Sequence, residues 1–327
     1  MQNNNWIWIT WEKQRRSLVL SDEFHCKLFL YDKKHKYKIS RYISASVKTL
    51  AFVKKYNPNV VFCQNPSIVL CCLMCVVKPL YGYKIVIDRH SNFMFNLNVY
   101  FRKKIFLILS NYTIKKADIT VVTNDSLKNI YVNNIGGNGF TLPDKIPELS
   151  TVKEFNIDKN KKNVFFITSF SRDEPIEEFF NAISEIPDEY YFYVSGNYRK
   201  LKKNIEKIGK NYELTGYVEE DDFVAILNAV DAVMVLTKHE YTLTCGAYES
   251  VSVEKPMILS DTITIKEYFY KGAVYCNNTP EAIKEKIMKC FDEYDKLKKE
   301  VIELKKNLKR KWKIQFLNIK KEIDAFL

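Results

Sequence analysis

The stretch TKHEYTLTCGAYESVSVEKPMILSD, residues 237–261, contains a loop, a helix and the start of a strand. Its first part is polar and rich in hydroxyls, its middle has helical spacing, and Pro256 opens an apolar run of β type. The apolar run just upstream, residues 232–236, is typical of a buried strand. Strand, loop, helix and strand in this order predict a parallel βαβ unit.

The same alternation of short β-rich runs and amphipathic helix-length segments extends over the whole chain. Strands are predicted at 6–10, 27–31, 59–63, 84–88, 119–123 and near Phe140 in the first half, and at 164–168, 191–195, 232–236, 257–260 and 273–276 in the second. The predicted fold class is therefore α/β, with two Rossmann-like domains facing each other across a cleft and helices at the C-terminus.

The segment 142–163 interrupts this pattern with two prolines and a Lys-rich polar run, which is typical of a linker. We therefore predict an N-terminal Rossmann-like domain at 1–148 and a second Rossmann-like domain at 149–310. The charged residues after Pro280 predict a pair of amphipathic helices. The last part, 311–327, is expected to pack back on the first domain.

The composition indicates a folded protein, since 46% of its 327 residues are hydrophobic. Its eight Cys lie in apolar runs, which predicts buried free thiols in a reducing compartment. The N-terminus lacks the basic and apolar pattern of a signal peptide, which predicts a cytoplasmic location. The apolar stretch 60–77 is broken at Gln64-Asn65-Pro66, which predicts a buried strand and helix and not a membrane span.

The net charge of +12 suits an anionic membrane, a nucleic acid or a phosphate-bearing ligand, and charge alone does not choose among them. Basic residues surround apolar ones in one predicted helix, and these are Arg102, Lys103, Lys104, Lys115 and Lys116. This pattern predicts peripheral, electrostatic attachment to the inner face of a membrane.

Two sets of polar residues follow strands in the first half, where ligands of open α/β sheets bind. Trp11, Glu12 and the pair Arg15 and Arg16 occupy the place of a glycine-rich nucleotide loop. They are predicted to bind an anionic acceptor, with a capping and surface cluster as the alternative. Asp88 and His90, after the fourth strand, are predicted to perform acid–base chemistry, with a purely structural histidine as the alternative.

The second half offers residues suited to a nucleotide diphosphate. Arg172 follows a strand and could bind phosphates bidentately, or pair at the surface with Asp173 or Glu174. Gly196 permits a tight turn. The loop 237–244 leads into a helix whose backbone N–H groups favour phosphate oxygens, and Glu249 on that helix could accept hydrogen bonds from ribose hydroxyls. The ligand that fits both features is a nucleotide sugar.

Several stretches together resemble the GT-B glycosyltransferases of family 4 and their membrane-associated bacterial relatives. They are VIDRHSNF, VVTNDSLKNIYVNNIGGNGFTLPDKIP, SFSRDEPIEEFFNAI, YVSGNYRKL, LTGYVEEDDFVAILNAVDAVMVLT and GAYESVSVEKPMILSDT, and they extend over nearly the whole chain. The resemblance implies a hexosyltransferase of polysaccharide biosynthesis that uses a UDP- or GDP-linked sugar and needs no metal. It also implies that Glu249 binds the ribose, that Thr242, Leu243 and Thr244 contact the diphosphate, and that Arg172 lies near the phosphates.

The sequence departs from the pattern of the family in three places. Eight residues separate Glu240 from Glu249 where the family has seven, so the role of Glu240 is uncertain. Glu177 stands where a lysine is expected, and the first glycine-rich loop is missing. Retention or inversion at the transferred sugar therefore stays open. An inverting relative, such as the glucuronosyltransferases of exopolysaccharide synthesis, would use a first-domain carboxylate such as Asp88 as general base.

Two alternatives differ from a transferase that acts on a glycan or lipid-linked glycan. A nucleotide-sugar epimerase also uses two Rossmann-like domains, but it would release no free nucleotide diphosphate together with a lengthened glycan. A basic nucleic-acid-binding protein would explain the charge, yet the basic residues are spread over helices and no recognised RNA or DNA motif occurs. We therefore expect no nucleic-acid partner.

Overall fold

The computed structural model describes residues 5–33, 35–65, 67–90, 100–200 and 211–326, with the side chains of 100–102 outside the description. Within these ranges the chain forms two six-stranded sheets whose neighbouring strands are all parallel. The predicted α/β class and its two Rossmann-like domains are confirmed. Two compact units contain these sheets: unit 1 comprises Met1–Lys145 with Trp312–Leu327, and unit 2 comprises Ile146–Lys311.

Unit 1 alternates strands and helices in the order that the sequence predicts. Its elements are β1 (Trp6–Thr10), α1 (Arg15–Glu23), β2 (Lys27–Leu30), α2 (Lys38–Tyr56), β3 (Val60–Asn65), α3 (Ile68–Tyr81), β4 (Lys84–Arg89), α4 (Tyr100–Lys116), β5 (Ile119–Val122), the single turn α5 (Asp125–Leu127) and β6 (Gly139–Thr141). The strand order is β2-β1-β3-β4-β5-β6. The strands β1 and β3 are buried along their whole length, as expected for a sheet covered on both faces.

Unit 2 repeats this architecture. Its elements are β7 (Lys162–Phe166), α6 (Ile176–Ile183), β8 (Tyr190–Ser195), β9 (Tyr212–Gly216), α7 (Glu220–Ala229), β10 (Ala232–Val235), α8 (Cys245–Ser252), β11 (Met257–Ser260), α9 (Ile263–Tyr268), β12 (Ala273–Cys276), α10 (Pro280–Asp292) and α11 (Tyr294–Asp324). The strand order is β12-β11-β10-β7-β8-β9, so β10, β7 and β8 are neighbours at the centre.

Two elements refine the sequence predictions. The strand β9 was not predicted, because it is a short edge strand in which Glu213 and Thr215 alternate with apolar residues. The helix α11 belongs to unit 2 up to Lys311 and to unit 1 from Trp312 onward. In unit 1, the indole Nε1 of Trp312 donates to the carbonyl oxygen of Pro143 at 3.0 Å, and the ring of Phe316 lies 4.6 Å from that of Phe24.

All eight cysteines are free thiols, and five of them are buried. The prediction of buried thiols is wrong for Cys245, which is exposed at the start of α8, and only partly right for the half-buried Cys26 and Cys72. The apolar stretch 60–77 forms β3 and most of α3, as predicted. Across the described ranges, every helix is too short or too polar to cross a lipid bilayer.

Candidate active site

Asp88 lies near the end of β4, and only 1% of its surface is exposed. Arg16, from the first turn of α1, donates from Nε to both carboxylate oxygens at 2.9 and 3.0 Å and from Nη2 to Oδ1 at 2.8 Å. The same guanidinium donates from Nη1 to Asp144 at 2.6 Å and from Nη2 to the carbonyl oxygen of Leu142 at 2.9 Å. Arg16 therefore joins α1, β4 and the segment after β6 through charge-assisted hydrogen bonds.

This network fixes the charges of its members. Burial is the largest single influence on the pKa of Asp88 and would raise it, but Arg16 and His90 together outweigh burial and lower that pKa to about 2. Burial likewise would lower the pKa of Arg16, but the negative charges of Asp88 and Asp144 raise it. The pair is consequently ionised at neutral pH, and loss of either partner leaves a buried charge without compensation.

His90 follows β4 directly and is mostly buried, with 14% of its side chain exposed. Its Nδ1 lies 3.4 Å from Oδ2 of Asp88, which is longer than a strong hydrogen bond but close enough for the carboxylate to orient the ring. Nδ1 makes no hydrogen bond within the described residues, but it faces the carboxylate, which leaves Nε2 as the nitrogen that can exchange a proton with a ligand. The two residues predicted for acid–base chemistry are thus neighbours in the structure.

The residues predicted for acceptor binding divide into a buried and an exposed pair. Trp11 is 1% exposed, and its Nε1 donates to Oγ1 of Thr49 at 3.0 Å. Arg16 is buried in the network with Asp88. Glu12 and Arg15 are exposed. Trp11 and Arg16 are therefore closed to solvent, whereas the side chains of Glu12 and Arg15 are exposed.

Arg89 was missed by the sequence analysis. It is 5% exposed at the end of β4, its Nη1 donates to Oγ of Ser110 on α4 at 2.5 Å, and burial lowers its pKa. A second charged residue directly after Asp88, at the end of a mostly buried strand, was the available signal. In the sequence analysis Arg89 occurs only within the stretch VIDRHSNF, and no role was predicted for it.

In unit 2, the loop after β7 is held by Glu174, which the sequence analysis considered only as a surface partner of Arg172. Its carboxylate accepts from Oγ1 of Thr168 at 2.6 Å and from the backbone N–H groups of Ser171 at 2.8 Å and Ser169 at 3.0 Å. Arg172 continues from this loop and is exposed. The carboxylate of Glu174 thus binds the turn itself, which differs from the alternative of a surface pair with Arg172.

Two glycines bring the loops of unit 2 close together. Gly196, after β8, has a φ of +98°, and a Cβ there would lie 2.2 Å from the carbonyl oxygen of Thr168. Gly246, in the first turn of α8, would place a Cβ 2.8 Å from Cγ2 of Val235 and 3.1 Å from Cδ1 of Ile167. A side chain at either position would push the loops apart, which is the physical reason for glycine.

The loop between β10 and α8 is tied to its neighbours by the backbone. The N–H of Lys238 donates to the carbonyl oxygen of Asp173 at 2.6 Å, which joins the loops after β10 and β7. The N–H of Thr237 donates to Oγ of Ser260 at 2.8 Å. Residues 242–244 are half-buried before α8, and Glu249 is 8% exposed on that helix. The residues predicted for donor binding therefore follow the carboxyl ends of three adjacent central strands, β10, β7 and β8.

Glu240 has a different function in this loop. Its Oε1 accepts from the N–H groups of Thr264 at 3.0 Å and Tyr241 at 3.3 Å, and its Oε2 accepts from the N–H of Ile263 at 3.3 Å. Burial alone would raise its pKa, but these backbone hydrogen bonds outweigh burial and lower it. Glu240 therefore binds the exposed N–H groups at the start of α9.

The described ranges contain no group of three or more His, Cys, Asp and Glu side chains close enough together to hold a metal ion.

Comparison with known proteins relates unit 2 to one family and the whole chain to several solved structures. Residues 161–293 match the family model described as Glycosyl transferases group 1. No curated protein sequence matches the chain. Among solved structures, sucrose-phosphate synthase from Thermosynechococcus elongatus superposes with a TM-score of 0.74 at 14% identity, covering 92% of this chain and 84% of that one.

Two further structures share the fold. HepE from Anabaena, in complex with UDP and glucose, gives a TM-score of 0.72 at 8% identity and covers 99% of both chains. A protein from Listeria monocytogenes assigned as a UDP-N-acetylglucosamine 2-epimerase gives 0.61 at 12% identity, covering 91% of this chain and 90% of that one.

The structural likenesses establish the GT-B fold, and the family match lies within unit 2, where the predicted donor residues occur. Residues 161–293 of unit 2 therefore resemble the glycosyl transferases group 1 family, and the chain has the GT-B fold.

Proposed function

We propose that the protein transfers a sugar from a nucleotide diphosphate sugar to a glycan or lipid-linked glycan at the cytoplasmic face of a membrane, in polysaccharide biosynthesis. The observation that carries the proposal is the set of loops after β7, β8 and β10. These loops lie together at the carboxyl ends of the strands, in the unit that matches the family model. Ligands of open α/β sheets bind at these ends.

In the proposed donor site, the ribose hydroxyls bind Glu249 and the diphosphate lies at residues 242–244 and Arg172. Helix α8 begins directly after Thr244, so the positive end of its dipole favours phosphate oxygens at this loop. Arg172 is exposed in a loop tied to the loop after β10, which leaves its guanidinium accessible to phosphate. Gly196 lets the turn after β8 approach without a side chain.

A UDP-linked sugar is favoured over a GDP-linked one as the donor. HepE, which has the same fold over 98% of both chains, was solved with UDP-glucose. No step of the proposal requires a metal, because Arg172 and the start of α8 would offset the charge of the diphosphate.

In unit 1, His90 is the proposed general base and Asp88 its orienting partner. A carboxylate with a pKa of about 2, held by Arg16, is a weak base at neutral pH. The imidazole of His90 can instead accept the proton of the acceptor hydroxyl at Nε2 while Asp88 stabilises the imidazolium through Nδ1. The exposed Glu12 and Arg15 are proposed to bind the acceptor.

Donor binding is tested by calorimetry with UDP, GDP and their hexose conjugates. A carboxylate that accepts two ribose hydroxyls supplies hydrogen bonds of about 1.5–3 kcal/mol, so Glu249→Ala should weaken affinity at least about tenfold. The exposed Glu185, on the turn after α6, provides the control Glu185→Ala. Unchanged affinity in Glu249→Ala would remove this residue from the site.

The reaction is tested by following both products with the donor that binds. Release of free nucleotide diphosphate together with a lengthened glycan supports transfer. A nucleotide sugar converted to its epimer, with no glycan product, would support the function assigned to the Listeria protein with this fold instead.

A further inference from the structure

One stretch of unit 1 is almost free of negative charge. Residues 33–117 contain sixteen Lys and Arg but a single acidic residue, Asp88. Asp88 is buried and bound by Arg16, so it adds no negative charge to the surface. The remainder of the chain is close to neutral, since the whole protein carries +12. Nearly all of the excess positive charge therefore belongs to the part of unit 1 that contains α2, α3 and α4.

These three helices lie on the same side of the sheet. Helix α3 packs against both α2 and α4, and the inner sides of the helices share one apolar core with the strands. On α2 the buried residues are Ala45, Thr49 and Val53, which recur at helical spacing. We call the outward surface of α2, α3 and α4 the three-helix face.

The three-helix face exposes apolar side chains at helical spacing. Large aliphatic residues are more than half exposed on all three helices: Ile39 (74%), Ile43 (61%) and Val47 (61%) on α2, Val76 (62%) and Leu80 (82%) on α3, and Ile108 (60%) on α4. Exposed lysines accompany them, namely Lys38, Lys48, Lys54 and Lys55 on α2 and Lys103, Lys104, Lys115 and Lys116 on α4. A soluble surface seldom combines an aliphatic row with one sign of charge.

We propose that the three-helix face docks on an anionic lipid bilayer, with its aliphatic side chains entering the interface and its lysines binding lipid phosphates. The inference deepens the proposed function and rests on its membrane location. It extends the contact predicted for α4 to α2 and α3, and it adds apolar insertion to electrostatic attraction.

The chemistry of the face favours lipid over nucleic acid. A nucleic-acid surface binds phosphates with Arg and Lys and stacks bases on aromatic side chains. The large side chains that are more than half exposed here are Ile, Val and Leu, which gain most from transfer into an acyl region, whereas the aromatic Tyr42 is 37% exposed and packs on Trp11. Because α2, α3 and α4 contain no Asp or Glu, no charge on these helices opposes an anionic surface.

The test is co-sedimentation of the full chain with vesicles, without donor or acceptor. The vesicles are phosphatidylcholine alone, or with about one third phosphatidylglycerol to supply negative charge. We expect binding to increase at least about tenfold with the anionic lipid and to fall in about 0.5 M salt, where charges are screened over a few ångströms. Binding that ignores both lipid charge and salt would overturn the proposal.

Two variants test the two components of the face. Ile39→Ser/Ile43→Ser/Val47→Ser removes the aliphatic row of α2 and should lower vesicle affinity at least about tenfold. Lys38→Gln/Lys48→Gln/Lys54→Gln keeps the apolar row and should lower affinity for anionic vesicles with a weaker salt dependence. The melting temperature should stay unchanged because all six side chains are exposed.

A matched control removes three exposed apolar side chains from unit 2, in Val152→Ser/Tyr217→Ser/Ile263→Ser. This variant should bind vesicles like the unmodified chain, and an equal loss would overturn the proposal. Tighter binding to a single-stranded oligonucleotide than to anionic vesicles would overturn it as well. Since the assay contains no nucleotide, failure here leaves donor binding intact, and failure of the donor site leaves the vesicle result intact.

Discussion

Asp88 in unit 1 and Glu240 in unit 2 are both associated with the carboxyl end of a parallel strand, but different groups bind them. Arg16 holds Asp88 through three hydrogen bonds of 2.8 to 3.0 Å. Glu240 instead accepts from three backbone N–H groups, and Glu174 binds the turn after β7 in a similar way. Unit 1 thus uses a buried ion pair where unit 2 uses its own backbone.

This difference predicts how well each unit tolerates amino-acid substitutions around these carboxylates. A buried ion pair depends on one other side chain, so a single substitution leaves an uncompensated charge in a low-dielectric environment. Backbone N–H groups persist through every substitution except one to proline, and water can replace a lost carboxylate at a half-buried helix start. We therefore expect large effects of substitution around Asp88 and small effects around Glu240.

The largest expected effect concerns catalysis in unit 1. If His90 is the base and Asp88 its orienting partner, His90→Ala and Asp88→Asn should each lower turnover about 10²–10⁴-fold with donor affinity unchanged. Turnover, donor affinity and melting temperature are measured together. Turnover near that of the unmodified enzyme in both variants would show that the ion pair of unit 1 serves only the fold.

The next effect is on stability. Arg16→Met removes the only guanidinium that binds Asp88 within the described residues, and should lower the free energy of unfolding by about 3–5 kcal/mol. The double variant Arg16→Met/Asp88→Leu removes both buried charges, so it should lose less stability than Arg16→Met alone. Denaturant titration measures both values, and a double variant with the sum of two large losses would argue against an isolated ion pair.

The pH dependence of stability should also reflect unit 1. The pKa of Asp88 is about 2 in the folded protein, below its ordinary value of 3.8. A depressed carboxyl pKa stabilises the fold above the unfolded pKa, and this contribution is lost as the pH falls from about 4 towards 2. It amounts to about 2 kcal/mol. Denaturant titration between these limits should show a shallower loss in Arg16→Met, and an equal loss in both proteins would contradict the assignment.

The sequence predicted the fold because both sheets are buried on both sides. Continuous apolar runs such as β1, β3 and β10 mark central strands, and the helices between them show one apolar side. The edge strand β9 was missed because one of its faces is polar. Hydrophobic periodicity therefore identifies strands and helices that pack in the core, and it misses short strands at the edge of a sheet.

The candidate site was only partly predictable for a related reason. A residue after a strand, such as Asp88 or Arg172, can be identified by its position. Its partner cannot, because Arg16 lies 72 positions from Asp88 and reaches it only when α1 packs on the sheet. Arg16 was consequently interpreted as an acceptor residue, and the capping function of Glu240, 24 positions from Thr264, was equally hidden.

The smallest expected effect separates the capping function of Glu240 from a direct role at the donor. Glu240→Ala removes the acceptor of three N–H groups, two of them at the start of α9, and should lower the free energy of unfolding by about 1 kcal/mol. Glu267→Ala, an exposed carboxylate on the same helix, is the control and should have little effect. Donor affinity in Glu240→Ala should stay within about threefold, since the carboxylate is engaged by the backbone. Denaturant titration and calorimetry on the same preparations give both quantities. A tenfold loss of affinity with unchanged stability would assign Glu240 to the donor sugar and would end the contrast with Asp88, since both carboxylates would then serve the reaction.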